Sequence, residues 1–398
     1  MINETMYALG SKRSCIRELF EYGLRQAAVV GKENVYDFSI GNPSIPSPPE
    51  VNEAFVSTIQ ETGSLAVHGY TTAGGNDGAR AAVAEDLNRR FDAHIRPQNL
   101  FFTCGAAPAL IAAVRALAVS EAEILAIAPY FAEYRPFVEA NGVSFNAVPA
   151  DMGGFQIRLD ALESMLNPHT QAVIVNSPNN PSGVVYTADT LTRLGALLTR
   201  KGEEFGHPIY ILADEPYREL VYDGVEAPFI PNIYPHTVVC YSYSKSLSLP
   251  GERIGYVCVP DQAADSEKLY AAIAGAARVM GHVCAPSLQQ IVVGRCARSR
   301  PDLAAYDKNR TALYEALTAF GYRCVKPTGA FYMFVQAPGG DAQEFSNRAK
   351  AKNLLAVPGG DFGCPEYFRL STCVSYDMLQ RSLPVFQALM EEYRAEKG

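Results

Sequence analysis

The chain has 398 residues, of which 48% are hydrophobic and 19% charged, with a net charge of −8 and a pI near 5.4. This length allows one large core or two ordinary ones, and scattered basic residues in an acidic chain exclude binding to nucleic acid or an anionic membrane through bulk charge. Nine cysteines without a Cys-x-x-Cys pair, and an N-terminal region without a long apolar stretch, predict a cytoplasmic protein whose partner is a small molecule.

Helical and strand-like segments alternate from about residue 51 to residue 259. Periodicity predicts helices at 77–91 and 106–119 and strands at 99–103 and 124–127. Nearly continuous apolar runs, typical of strands buried on both faces, lie at 172–175, 209–213, 238–241 and 254–259. Repeated β-α order predicts a mostly parallel sheet, and ligands bind beyond the carboxyl ends of such strands.

The pattern changes after residue 264. Long helices are expected at 265–280, 287–298 and 300–320, followed by strand-like segments at 330–336 and 368–372 and a final helix to residue 394. We interpret this part as a second, smaller domain, with a boundary near residue 285.

Lys245 lies in a segment of hydroxyls and small residues, with Arg253 eight positions later and apolar strands on both sides. Apolar surroundings favour the neutral amine, which can attack an aldehyde, and the arginine would hold an anion nearby. Asp214 follows another apolar strand, where a bare carboxylate is costly unless a cation meets it. Together these residues indicate a site for a ligand with an aldehyde and a phosphate.

Residues 242–255 resemble the lysine signature of the fold-type I aminotransferases of class I/II, the aspartate aminotransferase superfamily, at every restricted position. Further matching motifs are Gly41-Asn42-Pro43, Tyr70-Thr71, Pro129-Tyr130-Phe131, Asn179-Asn180-Pro181, Gly329-Ala330-Phe331-Tyr332 and Arg369-Leu370-Ser371.

The resemblance implies an α/β fold with a large cofactor-binding domain, residues 46–285, built on a mostly parallel seven-stranded sheet flanked by helices. A smaller α+β domain would be formed by both chain termini, residues 1–45 and 286–398. Tyr70 matches a tyrosine that relatives extend to the phosphate in the partner subunit, which implies a homodimer with shared active sites.

The implied cofactor is pyridoxal 5'-phosphate, held as an imine on Lys245, which then moves the proton at the substrate Cα. By the same resemblance Asp214 keeps the pyridine nitrogen protonated, and Asn180 and Tyr217 contact the ring hydroxyl oxygen. Phe131 would stack on the ring, with Tyr130 as its rival for that role.

For the phosphate, the resemblance implies Ser242, Arg253 and the backbone amides of Gly105, Ala106 and Ala107 at a helix N-terminus. Relatives often place a hydroxyl where Ala106 and Ala107 stand, so backbone donors must contribute more here. The substrate α-carboxylate would pair with Arg369, assisted by Gly41 and Asn180.

The resemblance implies transfer of an amino group from an α-amino acid to a 2-oxo acid by ping-pong half-reactions. A carbon-sulfur β-lyase, or another β-eliminating enzyme, is the alternative, because it uses the same lysine, aspartate and arginine. The Ser-x-x-Lys pattern at 242–245 also occurs in penicillin-binding enzymes, but their Ser-Asp-Asn and Lys-Thr-Gly partners are missing. No dinucleotide fingerprint follows a predicted strand, and no His-Glu-x-x-His indicates a metal.

The substrate side chain stays open. Some relatives that prefer dicarboxylates carry a lysine where Ala107 stands, and its absence weakens a preference for aspartate or glutamate. Three arginines are candidates for the missing charge: Arg13, Arg17 and Arg278. An aromatic substrate is left open by Tyr130, Phe131 and Tyr134.

Overall fold

The computed structural model describes residues 1–11 and 15–396. In this part of the chain the strands are, in order, β1 (Tyr36–Asp37), β2 (Leu100–Thr103), β3 (Glu123–Ile127), β4 (Ser144–Val148), β5 (Thr170–Asn176), β6 (Tyr210–Asp214), β7 (Thr237–Ser242), β8 (Gly255–Cys258), β9 (Arg323–Cys324), β10 (Tyr332–Gln336), β11 (Leu354–Leu355), β12 (Val357–Pro358) and β13 (Tyr367–Ser371).

The α-helices of the same ranges are α1 (Glu4–Ser11), α2 (Cys15–Val30), α3 (Pro49–Glu61), α4 (Ser64–His68), α5 (Asp77–Phe91), α6 (Ala106–Ala116), α7 (Tyr134–Glu139), α8 (Leu159–Met165), α9 (Ala188–Phe205), α10 (Tyr243–Ser246), α11 (Ser266–Val279), α12 (Ser287–Arg295), α13 (Leu303–Phe320), α14 (Ala342–Ala351) and α15 (Tyr376–Ala395). Among these described residues, no helix is both long enough and apolar enough to cross a bilayer.

A seven-stranded sheet forms the centre of the fold, in the order β2-β8-β7-β6-β5-β3-β4. β3, β4, β5, β6 and β7 run parallel to one another, whereas β8 is antiparallel to both of its neighbours. The mostly parallel sheet predicted from the β-α order is therefore confirmed.

Both faces of this sheet are covered, which explains why its central strands are almost wholly apolar. Val173 and Val175 of β5 join one core, which also includes side chains from α5, α9 and α12. Ala172 and Ile174 point the other way, into a core shared with α6 and α11. The side-chain alternation of a strand thus divides the apolar residues between two helical layers.

A smaller antiparallel sheet has the order β12-β13-β10-β9, and β1 pairs in parallel with β11. The pairing of Tyr36 with Leu354 brings a segment near the N terminus onto the C-terminal part of the chain. A separate core, which includes Phe38, Phe345 and Phe386, fills this body. The smaller α+β part predicted from the resemblance is present.

The domain boundary at residue 285 stays a prediction. Helix α12 follows it, yet Val292 and Val293 of that helix are buried in the same core as Val51 and Val83. These contacts attach α12 to the layer that covers the large sheet.

Candidate active site

Three neighbouring parallel strands end in polar residues at one edge of the large sheet. β5 ends at Asn176, β6 at Asp214 and β7 at Ser242, and Asn176 is in register with Asp214. Beyond this edge lies a cavity of about 570 Å³, within the range of ~300–1,000 Å³ common for small-molecule sites. Its lining includes most of the residues singled out from the sequence: Gly41, Ala106, Ala107, Phe131, Asn180, Asp214, Tyr217, Ser242, Lys245, Arg253 and Arg369.

Lys245 lies on the short helix α10, which begins directly after β7. Its Nζ donates a hydrogen bond to the Gly41 carbonyl oxygen at 2.6 Å. Burial lowers the lysine pKa to about 8, and the nearby cations of Arg253 and Arg369 act in the same direction, whereas Cys373 opposes them. Near neutral pH the neutral, nucleophilic amine is therefore more abundant than for an exposed lysine.

The Asp214 carboxylate has two unlike oxygens. Oδ2 accepts a hydrogen bond from the Tyr134 hydroxyl at 2.5 Å and from Asn176 Nδ2 at 3.3 Å. Oδ1 is buried and has no hydrogen-bond partner among the described residues. Burial raises the pKa of Asp214 to about 7, and the Tyr134 hydrogen bond opposes this rise. A protonated ring nitrogen fits Oδ1, because it supplies both the missing donor and a compensating positive charge.

Asn180 contacts Arg369 directly, and Tyr217 is linked to Arg369 through Tyr332. The Tyr217 and Tyr332 hydroxyls are 3.1 Å apart, and burial raises the pKa of Tyr217, so its hydroxyl stays protonated. Asn180 Oδ1 accepts a hydrogen bond from Arg369 Nη1 at 3.0 Å. The Asn180 side chain is thereby oriented with Nδ2 as its remaining donor.

Several hydrogen-bond donors gather where α6 begins. Gly105 precedes this helix with φ 99°, and a Cβ there would come within 3.0 Å of Arg253 Nη2. The hydroxyls of Ser242 and Ser244 are 2.7 Å apart and line the same cavity as Arg253. Unpaired amides of a first helical turn, two hydroxyls and a guanidinium are a suitable donor set for a phosphate.

Arg369 lies in the middle of β13, opposite Phe334 of β10 and Val357 of β12. Its Nη2 donates to the Ser39 carbonyl oxygen at 2.5 Å, and its guanidinium lies 4.7 Å from the centre of the Tyr332 ring. The side chain is only 1% exposed, and Nε has no hydrogen-bond partner in the described chain. A buried cation with an unused donor is suited to a carboxylate.

The aromatic candidates differ in position. Phe131 lines the cavity, whereas Tyr130 packs in the core with its ring 5.3 Å from that of Phe145. Tyr134 is buried against Asp214 and is not part of the lining. Tyr70 is 88% exposed and does not line the cavity of its own subunit.

Of the arginines considered for a substrate charge, Arg17 lines the cavity. Arg278 lies exposed on α11, outside the lining of this subunit, and Arg13 lies outside the described residues.

Sequence reasoning did not assign three groups of the site. Ser244 lies in the lysine segment at 242–255, and Asn176 directly follows the apolar run at 172–175, so their closeness to Ser242 and Asp214 could have been noticed. The Tyr134 contact joins residues 80 positions apart, and no local pattern signals it.

Comparison with known proteins agrees with this geometry. The family described as "Aminotransferase class I and II" matches residues 33–384. The aspartate aminotransferase of Thermotoga maritima is 29% identical over 377 residues, which cover 92% of this chain and 95% of that protein. Aromatic-amino-acid aminotransferase 2 of Thermococcus litoralis is 26% identical and covers 95% of both chains.

Solved structures of aminotransferases are also similar to this chain. An amino transferase from Eubacterium rectale is 53% identical, with a TM-score of 0.97 over 99% of each chain. The aspartate aminotransferase of Thermus thermophilus with maleate is 25% identical, with a TM-score of 0.83 over 95% of this chain and 97% of that one.

The names of these relatives favour amino transfer over the β-lyase alternative and leave the substrate open. Since the family match spans most of the chain, this protein belongs to the class I and II aminotransferases, a pyridoxal-phosphate-dependent family, and is a transaminase.

Proposed function

We propose that this transaminase holds pyridoxal 5'-phosphate on Lys245 and exchanges an amino group between an α-amino acid and a 2-oxo acid by ping-pong half-reactions. The observation that carries the proposal is the convergence of two unusual groups in one cavity. One is a buried lysine with a lowered pKa, and the other is the unpartnered Oδ1 of Asp214. A single ligand with an aldehyde and a protonated ring nitrogen satisfies both.

When bound, this cofactor supplies an aldehyde for the amine and a ring that withdraws electrons from the substrate Cα. Lys245 would hold it covalently and, once displaced by the substrate amine, carry the proton to or from Cα, for which a lowered amine pKa is favourable. Asp214 Oδ1 would accept a hydrogen bond from the protonated ring nitrogen and so keep that nitrogen protonated. Tyr134 and Asn176 would keep the carboxylate in that orientation through its other oxygen.

The remaining groups would orient the ligands. Tyr217 and the Asn180 Nδ2 would donate to the ring oxygen, and Phe131 would cover one ring face. The phosphate would be bound by the first turn of α6 after Gly105 (Ala106 and Ala107) together with Ser242, Ser244 and Arg253.

Arg369 would bind the substrate α-carboxylate with its free guanidinium donor, next to Asn180. Gly41 would contact the substrate through its backbone, and a larger residue does not fit at this position, because a Cβ would lie 1.9 Å from the Tyr332 hydroxyl oxygen. The Lys245 amine donates a hydrogen bond to the Gly41 carbonyl oxygen, so the segment at Gly41 also orients the amine.

The assembly proposed is a homodimer with shared active sites. Its support is Tyr70, an aromatic side chain that is 88% exposed and matches the residue that relatives contribute across the interface. A cytoplasmic location is also proposed, because the nine cysteines are all free thiols.

The test separates transfer from elimination. Protein loaded with pyridoxal 5'-phosphate is mixed with an amino acid and 2-oxoglutarate, and the new amino acid is measured beside pyruvate released from cysteine conjugates. We expect transfer in the wild type and in Lys268→Ala, whose lysine is exposed on α11, and no transfer in Lys245→Ala. Pyruvate release without amino transfer would contradict the proposal.

A further inference from the structure

One part of the cavity wall is assigned neither to the cofactor nor to the α-carboxylate, and it is mainly apolar. It contains Ile16 and Phe20 of α2, Leu110 of α6, Phe137 of α7 and Ile40. We refer to these five side chains as the apolar wall. Two prolines, Asn42 and Tyr332 complete the uncharged part of this remainder.

The apolar wall is built from both bodies of the fold. Ile16 and Phe20 are four residues apart, so they share one face of α2. The next residue on this face, Gly23, lies against Leu355, and a Cβ there would come within 2.7 Å of its side chain. This close approach fixes α2 on the small domain, with its two apolar side chains directed at the cavity.

Two other members of the apolar wall come from helices that flank the large sheet. Leu110 lies four residues after Ala106, hence one turn below the proposed phosphate-binding end of α6. Phe137 is on α7, the helix that begins at Tyr134. Leu110 is 2% exposed and Phe137 packs against the same core, so both side chains are held in place, and Leu110 adds only a small area to the cavity surface.

Charge in this remainder is balanced. Arg17 and Glu133 are its two charged side chains, one of each sign. Arg17 is exposed to solvent, where a guanidinium binds an anion weakly, whereas Glu133 is half-buried and repels a carboxylate. Among the groups of one subunit, a second substrate carboxylate would lose its hydration here for little compensation.

We propose that the apolar wall binds the substrate side chain and that the preferred amino donor is an α-amino acid with an apolar side chain of aromatic size, such as phenylalanine. The inference rests on the proposed function. An aromatic side chain removes a large apolar area from water, and its binding needs no charge partner.

The direct test compares amino donors on the loaded enzyme. We expect the kcat/KM for phenylalanine to exceed that for aspartate by at least about tenfold. Phe20→Ala should reduce the phenylalanine value by about tenfold or more and leave the alanine value nearly unchanged. Leu24→Ala, on the same helix but 58% exposed, is the matched control and should change neither. Glu133→Gln should raise activity on aspartate relative to phenylalanine.

Binding of unreactive analogues gives a second readout. Calorimetry on the same protein compares 3-phenylpropionate, which has one carboxylate and a phenyl group, with succinate, which has two carboxylates. We expect tighter binding of 3-phenylpropionate and a loss of this preference in Phe20→Ala. Equal or tighter binding of succinate, or a higher kcat/KM for aspartate that disappears in Arg17→Gln, would overturn the inference.

Failure of the proposed function can be distinguished from failure of the substrate inference alone. Absence of the visible absorbance of a lysine-linked cofactor would contradict the proposed function, and analogue binding would still report on the wall. A normal cofactor absorbance with preference for aspartate would contradict the substrate class alone.

Discussion

The hydrogen bond from Tyr134 to Asp214 gives a prediction whose size follows from the structure. The tyrosine hydroxyl lies 2.5 Å from Oδ2, and burial raises the Asp214 pKa to about 7. A hydrogen bond contributes about 1.5–3 kcal/mol to a charged acceptor but only about 0.5–1.5 kcal/mol to a neutral one. Tyr134→Phe should therefore lower the free energy of unfolding by about 1–2 kcal/mol more when Asp214 is ionised than when it is protonated. The same difference raises the pKa of Asp214 in this variant by about one unit.

The sign of the pH dependence follows from proton binding. The folded-state pKa of Asp214 lies above its ordinary value of 3.8, so the folded protein binds this proton more tightly than the unfolded chain does. Stability of the cofactor-free protein therefore falls as pH rises from about 4 to about 7 through this group. In Tyr134→Phe the stability should continue to fall up to about pH 8, because the Asp214 pKa is higher in this variant.

Urea unfolding of the cofactor-free protein near pH 5.5 and pH 9 measures this difference. The free-energy gap between wild type and Tyr134→Phe should widen by about 1–2 kcal/mol at the higher pH. Tyr322→Phe is the matched control, because its buried hydroxyl donates to the Phe386 carbonyl oxygen at 2.8 Å and faces no titrating group through that bond. If Tyr134→Phe lost the same free energy at both pH values, as the control should, the coupling of Tyr134 to Asp214 would be refuted.

Two further variants test the anion sites. Arg369→Lys should raise KM for the amino acid by about tenfold or more, because an ammonium lacks the planar pair of donors that binds a carboxylate. The cofactor absorbance should stay normal. An unchanged KM would contradict the role of Arg369. Gly105→Ala should weaken cofactor affinity by about tenfold, because its Cβ would meet Arg253, whereas Gly142→Ala, also at positive φ but with no atom within 4 Å of the added Cβ, should bind the cofactor normally. Equal effects of the two glycine variants in a cofactor titration would contradict this phosphate site.

Strand ends were the part of the site most accessible from the sequence. Residues 172–175, 209–213 and 238–241 are continuous apolar runs, because their strands are buried on both faces, and each is followed by polar residues. Parallel order brings such ends to one edge. The meeting of Asp214 with Lys245 in one cavity follows from that rule and from the resemblance.

The sequence pattern does not predict β4, although the resemblance implies a seventh strand. It lies at the edge of the sheet, with Ser144 and Asn146 exposed and Phe145 and Val148 buried. A five-residue alternation with polar members is too weak a signal to separate a strand from a loop.

Contacts between distant segments account for what the sequence did not predict. The orientation of Asp214 depends on Tyr134, which is positioned by the turn between β3 and α7. Ile16 and Phe20 line the cavity, and the helix that carries them, α2, packs through Gly23 against Leu355 of β11. Neither arrangement leaves a periodic or motif signal, since each depends on tertiary packing.

The central claim is that Lys245 is the attachment point of pyridoxal 5'-phosphate. The protein is incubated with the cofactor, reduced with borohydride to make the attachment permanent, digested, and its peptides are analysed by mass spectrometry. We predict that the adduct lies on Lys245 and is lost in Lys245→Ala but kept in Lys268→Ala. An adduct on another lysine of the wild type, or a fully modified Lys245→Ala protein, would contradict the account.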